Sequence, residues 1–122
     1  MVALLADRSA IVLVAHDTGV IAGSVAVRPD VTVPSGWLLS RLYVLPGCWG
    51  HGLGGRLHDA AVIAAGEAGA VGLHLWVLEA NGRARGMYER RGWVLVPGRK
   101  LVNGNLDPPI EDVLYELDLA TG

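Results

Sequence analysis

The fold of this chain is decided by one stretch, Leu42-Tyr43-Val44-Leu45-Pro46-Gly47-Cys48-Trp49-Gly50-His51-Gly52-Leu53-Gly54-Gly55. It passes from an apolar strand through a glycine-rich turn into an amphipathic helix. The glycines leave the turn without side chains, so successive backbone N–H groups can approach an anion. The helix that begins near Leu53 directs the positive end of its dipole at the same place. The sequence therefore predicts a cradle for a ligand that carries phosphate groups.

Two familiar phosphate loops fit this stretch poorly. The nucleoside-triphosphate loop ends in Gly-Lys-Ser/Thr, whereas Gly54-Gly55-Arg56 supplies neither the lysine nor the hydroxyl. The dinucleotide fingerprint Gly-x-Gly-x-x-Gly matches loosely, with Glu67 or Glu79 as its acidic residue. A dinucleotide-dependent oxidoreductase would also need a parallel sheet, which the predicted hairpin and the downstream strands do not favour.

A second pattern follows the helix and the next strand, and it consists of Asn81, Ala84, Tyr88, Gly92 and Trp93. In this order the two patterns resemble those of the GNAT superfamily of acetyl-coenzyme A dependent N-acetyltransferases. That family carries Arg/Gln-x-x-Gly-x-Gly/Ala in its pyrophosphate loop, then Asn-x-x-Ala-x-x-x-Tyr-x-x-x-Gly-Phe after the following strand. The first pattern departs at Trp49, where the family usually has Arg or Gln, so the cradle depends on backbone amides.

The resemblance covers Ser9 to Leu119 and implies an α/β fold. We expect a mixed, mostly antiparallel, twisted sheet with a splayed central strand pair and flanking helices, formed by a single domain over residues 1–122. A chain of 122 residues is the size of one domain. We expect the family's usual N-terminal strand and helices to be absent ahead of the first hairpin, through truncation, a wrongly placed start or a minimal variant. Met1–Ala6 is expected to be the end of the last such helix.

The periodicity of apolar residues predicts the individual elements. An alanine-rich helix is expected over Leu53–Ala65, and a short helix is expected to be capped by Asn81 and closed by Gly92. Pro97–Glu111 is expected to be an irregular loop. The expected strands are Ser9–Ala15, Val20–Val27, Trp37–Val44, Val71–Leu78, Trp93–Val96 and Asp112–Leu119.

The resemblance also assigns roles to residues. It implies that the backbone of Leu42, Tyr43 and Val44 holds the pantetheine arm and that Asn81 contacts the pantetheine or adenosine part. Tyr88 matches the family's general acid, which protonates the departing thiolate, although a tyrosine at this helical spacing also suits a core position. The pyrophosphate is expected on Trp49, Gly50, His51, Gly52, Leu53, Gly54 and Gly55.

The general base is open. Related ribosomal-protein acetyltransferases carry a glutamate five positions before the asparagine, and here that position is Trp76. His74 lies on the same strand face and has a suitable pKa near neutrality, while Glu79 lies at the strand end. His74 is therefore our candidate base, and proton transfer through water without a dedicated base is the alternative.

We expect an N-acetyltransferase that transfers the acetyl group of acetyl-coenzyme A to a primary amine of a small molecule or peptide. The alternative is a non-catalytic acyl-coenzyme A binding or sensor module. No metal is expected, because the four histidines lack metal-ligand spacing and the single cysteine, Cys48, cannot form a cysteine-rich site alone. We do not expect Cys48 to act as a nucleophile, since direct acetyl transfer needs no covalent enzyme intermediate.

The net charge and the length of the apolar runs limit which partners and which location we expect. The net charge is −2 at pH 7, and no basic run marks a nucleic-acid surface. Apolar runs reach only strand length, too short to cross a membrane, and Met1–Ala6 lacks the features of a signal peptide. We therefore expect a cytoplasmic protein that binds neither nucleic acid nor membrane. A homodimer is expected as a way to cover the open edges of the sheet.

Overall fold

Seven strands and two α-helices make up the part of the chain that the computed structural model describes, residues 2–6, 10–17, 19–50 and 52–119. A single 3-10 turn, Pro46–Cys48, connects a strand to the first helix. In chain order the elements are β1 (Val2–Ala6), β2 (Ile11–Asp17), β3 (Val20–Pro29), β4 (Trp37–Val44), α1 (Leu53–Glu67), β5 (Gly72–Leu78), α2 (Gly82–Arg90), β6 (Val94–Asn103) and β7 (Ile110–Asp118).

The strands form one sheet in the order β1-β2-β3-β4-β5-β7-β6. All neighbouring pairs run antiparallel except β4 and β5, which run parallel at the centre of the sheet. This confirms the expected mixed, mostly antiparallel α/β fold with flanking helices. A parallel pair needs a crossover between its strands, and α1 supplies that connection.

The N-terminal segment corrects one expectation. Val2–Ala6 is strand β1 and not the end of a helix. It pairs antiparallel with β2, from Val2 opposite Ala15 to Ala6 opposite Ile11. Pairing with β2 satisfies the backbone N–H and C=O groups of this segment. The expectation came from the family's usual order of elements and not from the residues themselves.

Both helices contribute to the same core on one face of the sheet. Leu57, Ala61 and Ala65 of α1 are 0% exposed, and they pack on apolar side chains from the inward positions of β2, β3, β4, β5 and β7. Gly23 of β3 permits this close approach, because a Cβ there would lie 2.9 Å from Leu57 and 2.7 Å from the carbonyl oxygen of Tyr43. The predicted alanine-rich packing face is therefore confirmed.

The opposite face of the sheet carries a smaller apolar cluster. Val33, Leu38 and Leu114 are its buried members, and Trp76 and Val96 pack against them while partly exposed. Leu38 and Leu114 each alternate with a neighbour that faces the helical core, as the two-residue period of a strand requires. This face lies opposite α1 and α2 and holds His74 and Trp76 of β5.

The segment expected to be a loop over Pro97–Glu111 is mostly strand. Strand β6 continues to Asn103 and β7 begins at Ile110, so only residues 104–109 connect them. Pro97 and Gly98 lie within an irregularity of β6, where the register shifts between Leu95 and Lys100. Proline and glycine signalled the end of a strand, but in an edge strand they are accommodated in a bulge.

A partly buried hydrogen-bond network fixes α2 against β7. Tyr115 is 0% exposed, and its hydroxyl donates to the carboxylate of Glu89 at 2.7 Å. Arg85 Nε donates to the same hydroxyl at 2.9 Å, while another guanidinium nitrogen of Arg85 donates to the carbonyl oxygen of Glu79. The helix is thus held in its middle by Arg85 and near its end by Glu89, on either side of Tyr88.

Tyr115→Phe tests this network. The substitution leaves the ring in place but removes the hydroxyl from Arg85 and Glu89, so we expect the free energy of unfolding to fall by about 1–2 kcal/mol. Tyr43→Phe is the matched control, because Tyr43 is 54% exposed to solvent; its effect should stay within about 0.5 kcal/mol. Equal urea midpoints for the two variants would contradict the network's role.

Candidate functional site

The two central strands separate soon after they meet. Among the described residues, the only pairing between β4 and β5 joins Leu38 to His74, near the start of each strand. Beyond this point β4 continues to Val44 and β5 to Leu78. The two strands therefore splay toward their carboxyl ends, which leaves a cleft in the middle of the sheet with unpaired backbone along its β4 side. This is the splayed pair that the family resemblance implied.

A β-bulge in β4 lies at this cleft. Ala26 of β3 pairs with Ser40 and Ser24 pairs with Tyr43, so β4 has one residue more than its partner. Arg41 absorbs the extra residue with φ 56°, and it is the only non-glycine residue with positive φ in the described chain. A bulge re-aims the backbone locally. It thus turns the main chain at Leu42 away from regular pairing with β3, at the position expected to hold a pantetheine arm.

The glycine turn has the backbone expected of an anion cradle. Gly50 and Gly52 have φ of 84° and 74°, which side-chain-bearing residues rarely adopt. Gly52 is the N-cap of α1 and provides no side-chain cap, and the first helical bond runs from Arg56 N–H to the Gly52 carbonyl. The earlier N–H groups of the first turn therefore lack an intrahelical acceptor. His51 lies outside the described residues.

The last glycines of the stretch differ from the first. Gly54 is half-buried, and Gly55 is buried on α1 beneath the guanidinium of Arg91, where a Cβ would collide with that side chain. Gly55 therefore permits close packing of Arg91. Gly50 and Gly52 are open by contrast, since a Cβ added at either would meet no atom within 4 Å. The exposed part of the cradle is the turn before the helix.

Trp49 joins the two sides of the cleft. Its indole N–H donates to the carbonyl oxygen of Val44 at 2.8 Å, which ties the turn to the end of β4. The guanidinium of Arg83, in the first turn of α2, lies 5.4 Å from the centre of the same indole. A cation at this distance from an aromatic face is attracted to it. The exposed Arg83 thus places a positive charge beside Trp49, which directly precedes Gly50.

Asn81 has the capping role that the sequence predicted. Its side-chain oxygen accepts a hydrogen bond from the backbone N–H of Ala84 at 3.1 Å, at the start of α2. Gly92 has φ 94° and follows the other end of the helix, as expected. The cap fixes where α2 leaves the end of β5, and hence where Arg83 and Tyr88 lie relative to the cleft.

Tyr88 is buried in α2, with 7% of its surface exposed. Its ring packs against His58 of α1 and against Trp93, with ring centres 6.2 and 5.9 Å away. Its hydroxyl makes no hydrogen bond within the described chain, and the hydroxyl oxygen keeps some accessible surface. Burial raises the pKa of the Tyr88 phenol. The phenol is therefore protonated at neutral pH.

His74 lies where β4 and β5 are still paired, before the two strands separate. It is 3% exposed, and its Nδ1 is 2.7 Å from the hydroxyl of Ser35. Its Nε2 lies 3.5 Å from a carboxylate oxygen of Glu116 without forming a hydrogen bond. Burial lowers the pKa of His74, and Glu116 partly offsets this. The His74 ring borders a separate surface pocket of about 510 Å³ that Glu116 also lines. This ring lies on the sheet face opposite Tyr88.

Sequence patterns missed the residues that connect the site. Arg83 fills an unspecified position of the pattern that begins at Asn81, Ser35 lies in no recognised motif, and Arg41 is an ordinary strand residue by its neighbours in the chain. The only sequence signal for Arg83 is its place two positions after the cap Asn81. Among the described residues, no group of three or more His, Cys, Asp or Glu side chains is arranged to hold a metal ion. In the same part of the chain, no helix is both long enough and apolar enough to cross a membrane.

Family comparison agrees with this geometry. Residues 3–93 match the model of the acetyltransferase (GNAT) family. The chain therefore belongs to this family. It is 33% identical over 94 residues to YhfO of Bacillus subtilis, which is described as an uncharacterized N-acetyltransferase. The match covers 75% of this chain and 63% of YhfO, so the chain spans less than two thirds of that relative.

Solved structures share the fold at low sequence identity. The ribosomal-protein-alanine N-acetyltransferase of Brucella melitensis superposes with a TM-score of 0.79 at 20% identity, over 90% of this chain and 69% of that one. The yncA protein of Salmonella typhimurium, solved with its cofactor acetyl-CoA, superposes with a TM-score of 0.75 at 18% identity, over 90% and 65% of the two chains. These likenesses establish the fold.

Gly52→Ala tests the conformation of the cradle. The positive φ of Gly52 strains a residue with a side chain, so we expect the free energy of unfolding to fall by about 1 kcal/mol. Gly66→Ala is the control, since Gly66 lies in α1 without positive φ and a Cβ there meets open space; it should stabilise the protein by about 0.5–1 kcal/mol. Stabilisation by both substitutions in urea unfolding would refute the left-handed turn.

Proposed function

We propose that this protein is an N-acetyltransferase that transfers the acetyl group of acetyl-coenzyme A to a primary amine of a small molecule or peptide. The observation that carries the proposal is the cleft between β4 and β5, which opens toward the glycine turn at the start of α1. A long ligand with an extended arm and a phosphate-bearing end matches that arrangement. The structure of yncA with acetyl-CoA supports the choice of ligand.

In this proposal the donor lies along β4. The unpaired backbone of Leu42, Tyr43 and Val44 binds the pantetheine arm, and a backbone N–H at the bulge faces the thioester oxygen. Such a donor stabilises the oxyanion that forms as the amine attacks, by about 3–4 kcal/mol in comparable acyl-transfer sites. The pyrophosphate lies on Trp49, Gly50, His51, Gly52, Leu53, Gly54 and Gly55, with most contacts to the exposed turn.

Arg83 supplies the positive charge that the glycine turn itself lacks. Trp49 occupies the position where the family usually has Arg or Gln, and it contributes no cation. Because the Trp49 ring holds the Arg83 guanidinium beside the turn, we assign Arg83 to the ligand's phosphates. Asn81 acts through its position, since it caps the helix that carries Arg83.

Tyr88 is our candidate general acid. As the tetrahedral intermediate collapses, the C–S bond breaks and the sulfur of coenzyme A takes up the electron pair. A protonated phenol then donates a hydrogen bond or its proton to that sulfur. The raised pKa of Tyr88 keeps the phenol protonated at neutral pH, and the packing of its ring against His58 and Trp93 restricts its orientation.

The proton lost by the attacking amine has two candidate acceptors. His74 as general base stays a prediction, and its location where β4 and β5 still pair does not favour it. Trp76, two residues further along the strand, packs in an apolar cluster and supplies no base. Transfer to water in the open cleft suits this arrangement better. The homodimer, the cytoplasmic location and the absence of metal, membrane and nucleic-acid partners also stay predictions.

One feature favours a second function, a non-catalytic acyl-coenzyme A sensor. The strand position that carries a glutamate in related ribosomal-protein acetyltransferases is the apolar Trp76 here. Titration of the protein with acetyl-coenzyme A, followed by an amine panel monitored for thiol release, separates the two functions. Binding with turnover supports the enzyme, binding without turnover of any amine supports the sensor, and no binding overturns both.

Tyr88→Phe tests the acid. The ring and its packing remain, so we expect the affinity for acetyl-coenzyme A to change less than about twofold, while kcat falls by about 10²-fold or more. Thiol release under saturating donor measures kcat, and calorimetric titration measures the affinity. Unchanged turnover in Tyr88→Phe would remove Tyr88 from the acid role.

Arg83→Met tests the phosphate contact. Methionine keeps an unbranched chain over Trp49 but removes the charge, so we expect the Kd for coenzyme A to rise about tenfold. The Kd for acetyl-pantetheine, which lacks the nucleotide phosphates, should not change. Arg90→Met is the control, because Arg90 is an exposed cation at the far end of α2. A phosphate contact by Arg83 would be excluded if Arg83→Met raised the Kd for coenzyme A and for acetyl-pantetheine equally. An equal rise in the Kd for coenzyme A in Arg83→Met and Arg90→Met would also exclude it.

A further inference from the structure

His58 is a buried histidine to which the proposed reaction gives no role. It lies on α1, is 3% exposed, and faces Tyr88 and Trp93 at ring-centre distances of 6.2 and 6.0 Å. Its Nε2 is 2.8 Å from the indole nitrogen of Trp93, and its Nδ1 is 2.8 Å from a carboxylate oxygen of Asp59. Both ring nitrogens of His58 are therefore engaged.

The partners fix the tautomer of His58. An indole N–H can only donate, so Nε2 must be the acceptor and carry no proton. The proton of the neutral ring is then on Nδ1, which donates it to Asp59. Arg91 Nε donates to the same carboxylate oxygen at 3.2 Å and completes the chain. The order Trp93, His58, Asp59, Arg91 thus links α1 to the residues that follow α2.

We propose that His58 is a positioning residue for Tyr88, and that it performs this function only as the neutral Nδ1–H tautomer. The proposal rests on the role of Tyr88 as the acid in the proposed function. Within the described residues the Tyr88 hydroxyl makes no hydrogen bond, so its orientation depends on the rings it touches. Those two rings are fixed to each other by the bond between Trp93 and His58.

Protonation of His58 would break this arrangement. A proton on Nε2 would point at the N–H of Trp93, so two donors would face each other across 2.8 Å. The charged groups that face His58 are Asp59 on α1 and Arg91 after α2, and Tyr88 and Trp93 are its neutral neighbours. Burial lowers the pKa of His58, Asp59 partly offsets this, and Arg91 adds to the lowering.

The lowered pKa of His58 makes the stability of the protein depend on pH. The folded-state pKa of His58 lies below the value of about 6.5 expected for the unfolded chain. Between those two values the unfolded state binds more protons, so this contribution to stability is present above pH 6.5 and is lost as pH falls toward the folded-state pKa. We expect the orientation of Tyr88 to be lost over the pH range in which His58 itself becomes protonated.

Nitrogen-15 NMR of the imidazole groups tests the tautomer without any acceptor substrate. In the full chain at pH 7.5, we expect the His58 signals of an Nδ1–H tautomer, and the ring signals of Tyr88 should shift with the same apparent pKa as His58. Trp93→Phe keeps an aromatic ring but removes the indole donor, so the pKa of His58 should rise. An Nε2–H tautomer, or Tyr88 signals that ignore the titration of His58, would overturn the proposal.

The pH dependence of kcat distinguishes a positioning role of His58 from a role in stability alone. With acetyl-coenzyme A and one accepted amine, we expect kcat of the wild-type protein to fall about tenfold across the titration of His58, with KM for the donor unchanged. His58→Gln can still accept from Trp93 but does not titrate, so it should lose this acid-side fall. Persistence of the fall in that variant would contradict the proposal. If His58→Gln does not fold, the NMR of Trp93→Phe still decides.

The proposed function and this inference fail differently. If the wild-type protein neither binds acetyl-coenzyme A nor acetylates an amine, the proposed function is wrong, yet the coupled titration of His58 and Tyr88 still appears by NMR. If the protein is active while Tyr88 does not respond to His58, the positioning role is wrong and the acetyltransferase stands.

Discussion

The parallel contact between β4 and β5 is the constraint on which the rest of the structure depends. In the described part of the chain, every other strand pair is antiparallel and runs over several residues, whereas this pair is joined at Leu38 and His74 alone. A strand edge in the middle of a sheet carries N–H and C=O groups that need partners. Two parallel strands also end at the same edge, so α1 and α2 both begin beside the opening. The unpaired edge, the glycine turn and the capped helix therefore converge there.

Two tryptophans make the chain's own version of this site. Trp49 and Trp93 occupy positions where the family pattern has Arg or Gln and Phe, respectively. Each adds an indole donor, and each donor finds an acceptor at 2.8 Å, the carbonyl of Val44 for Trp49 and Nε2 of His58 for Trp93. A partly or fully buried indole usually needs such a partner. The two indole N–H groups thus make polar contacts, one between the glycine turn and the end of β4 and one beside Tyr88.

The sequence predicted the parts of the molecule that depend on local chemistry. The cap at Asn81, the left-handed glycine at 92 and the alanine face of α1 follow from positions a few residues apart, and all three are present. What it could not predict depends on distant partners. Val2–Ala6 becomes a strand because β2 is available beside it. Likewise, the hydrogen bond from Trp93 to His58 joins residues 35 positions apart.

The environment of Tyr88 limits how it can act as an acid. An ordinary thiol has a pKa of about 8.5 and a phenol one of about 10, so moving a proton from phenol to thiolate is uphill by about 2 kcal/mol. Burial raises the pKa of Tyr88, and no cation contributes to lower it. The transfer is then more costly, which favours a hydrogen bond that strengthens as negative charge develops on sulfur. A donor of that kind depends on its orientation, which in the proposed mechanism comes from the packing of the Tyr88 ring against His58 and Trp93.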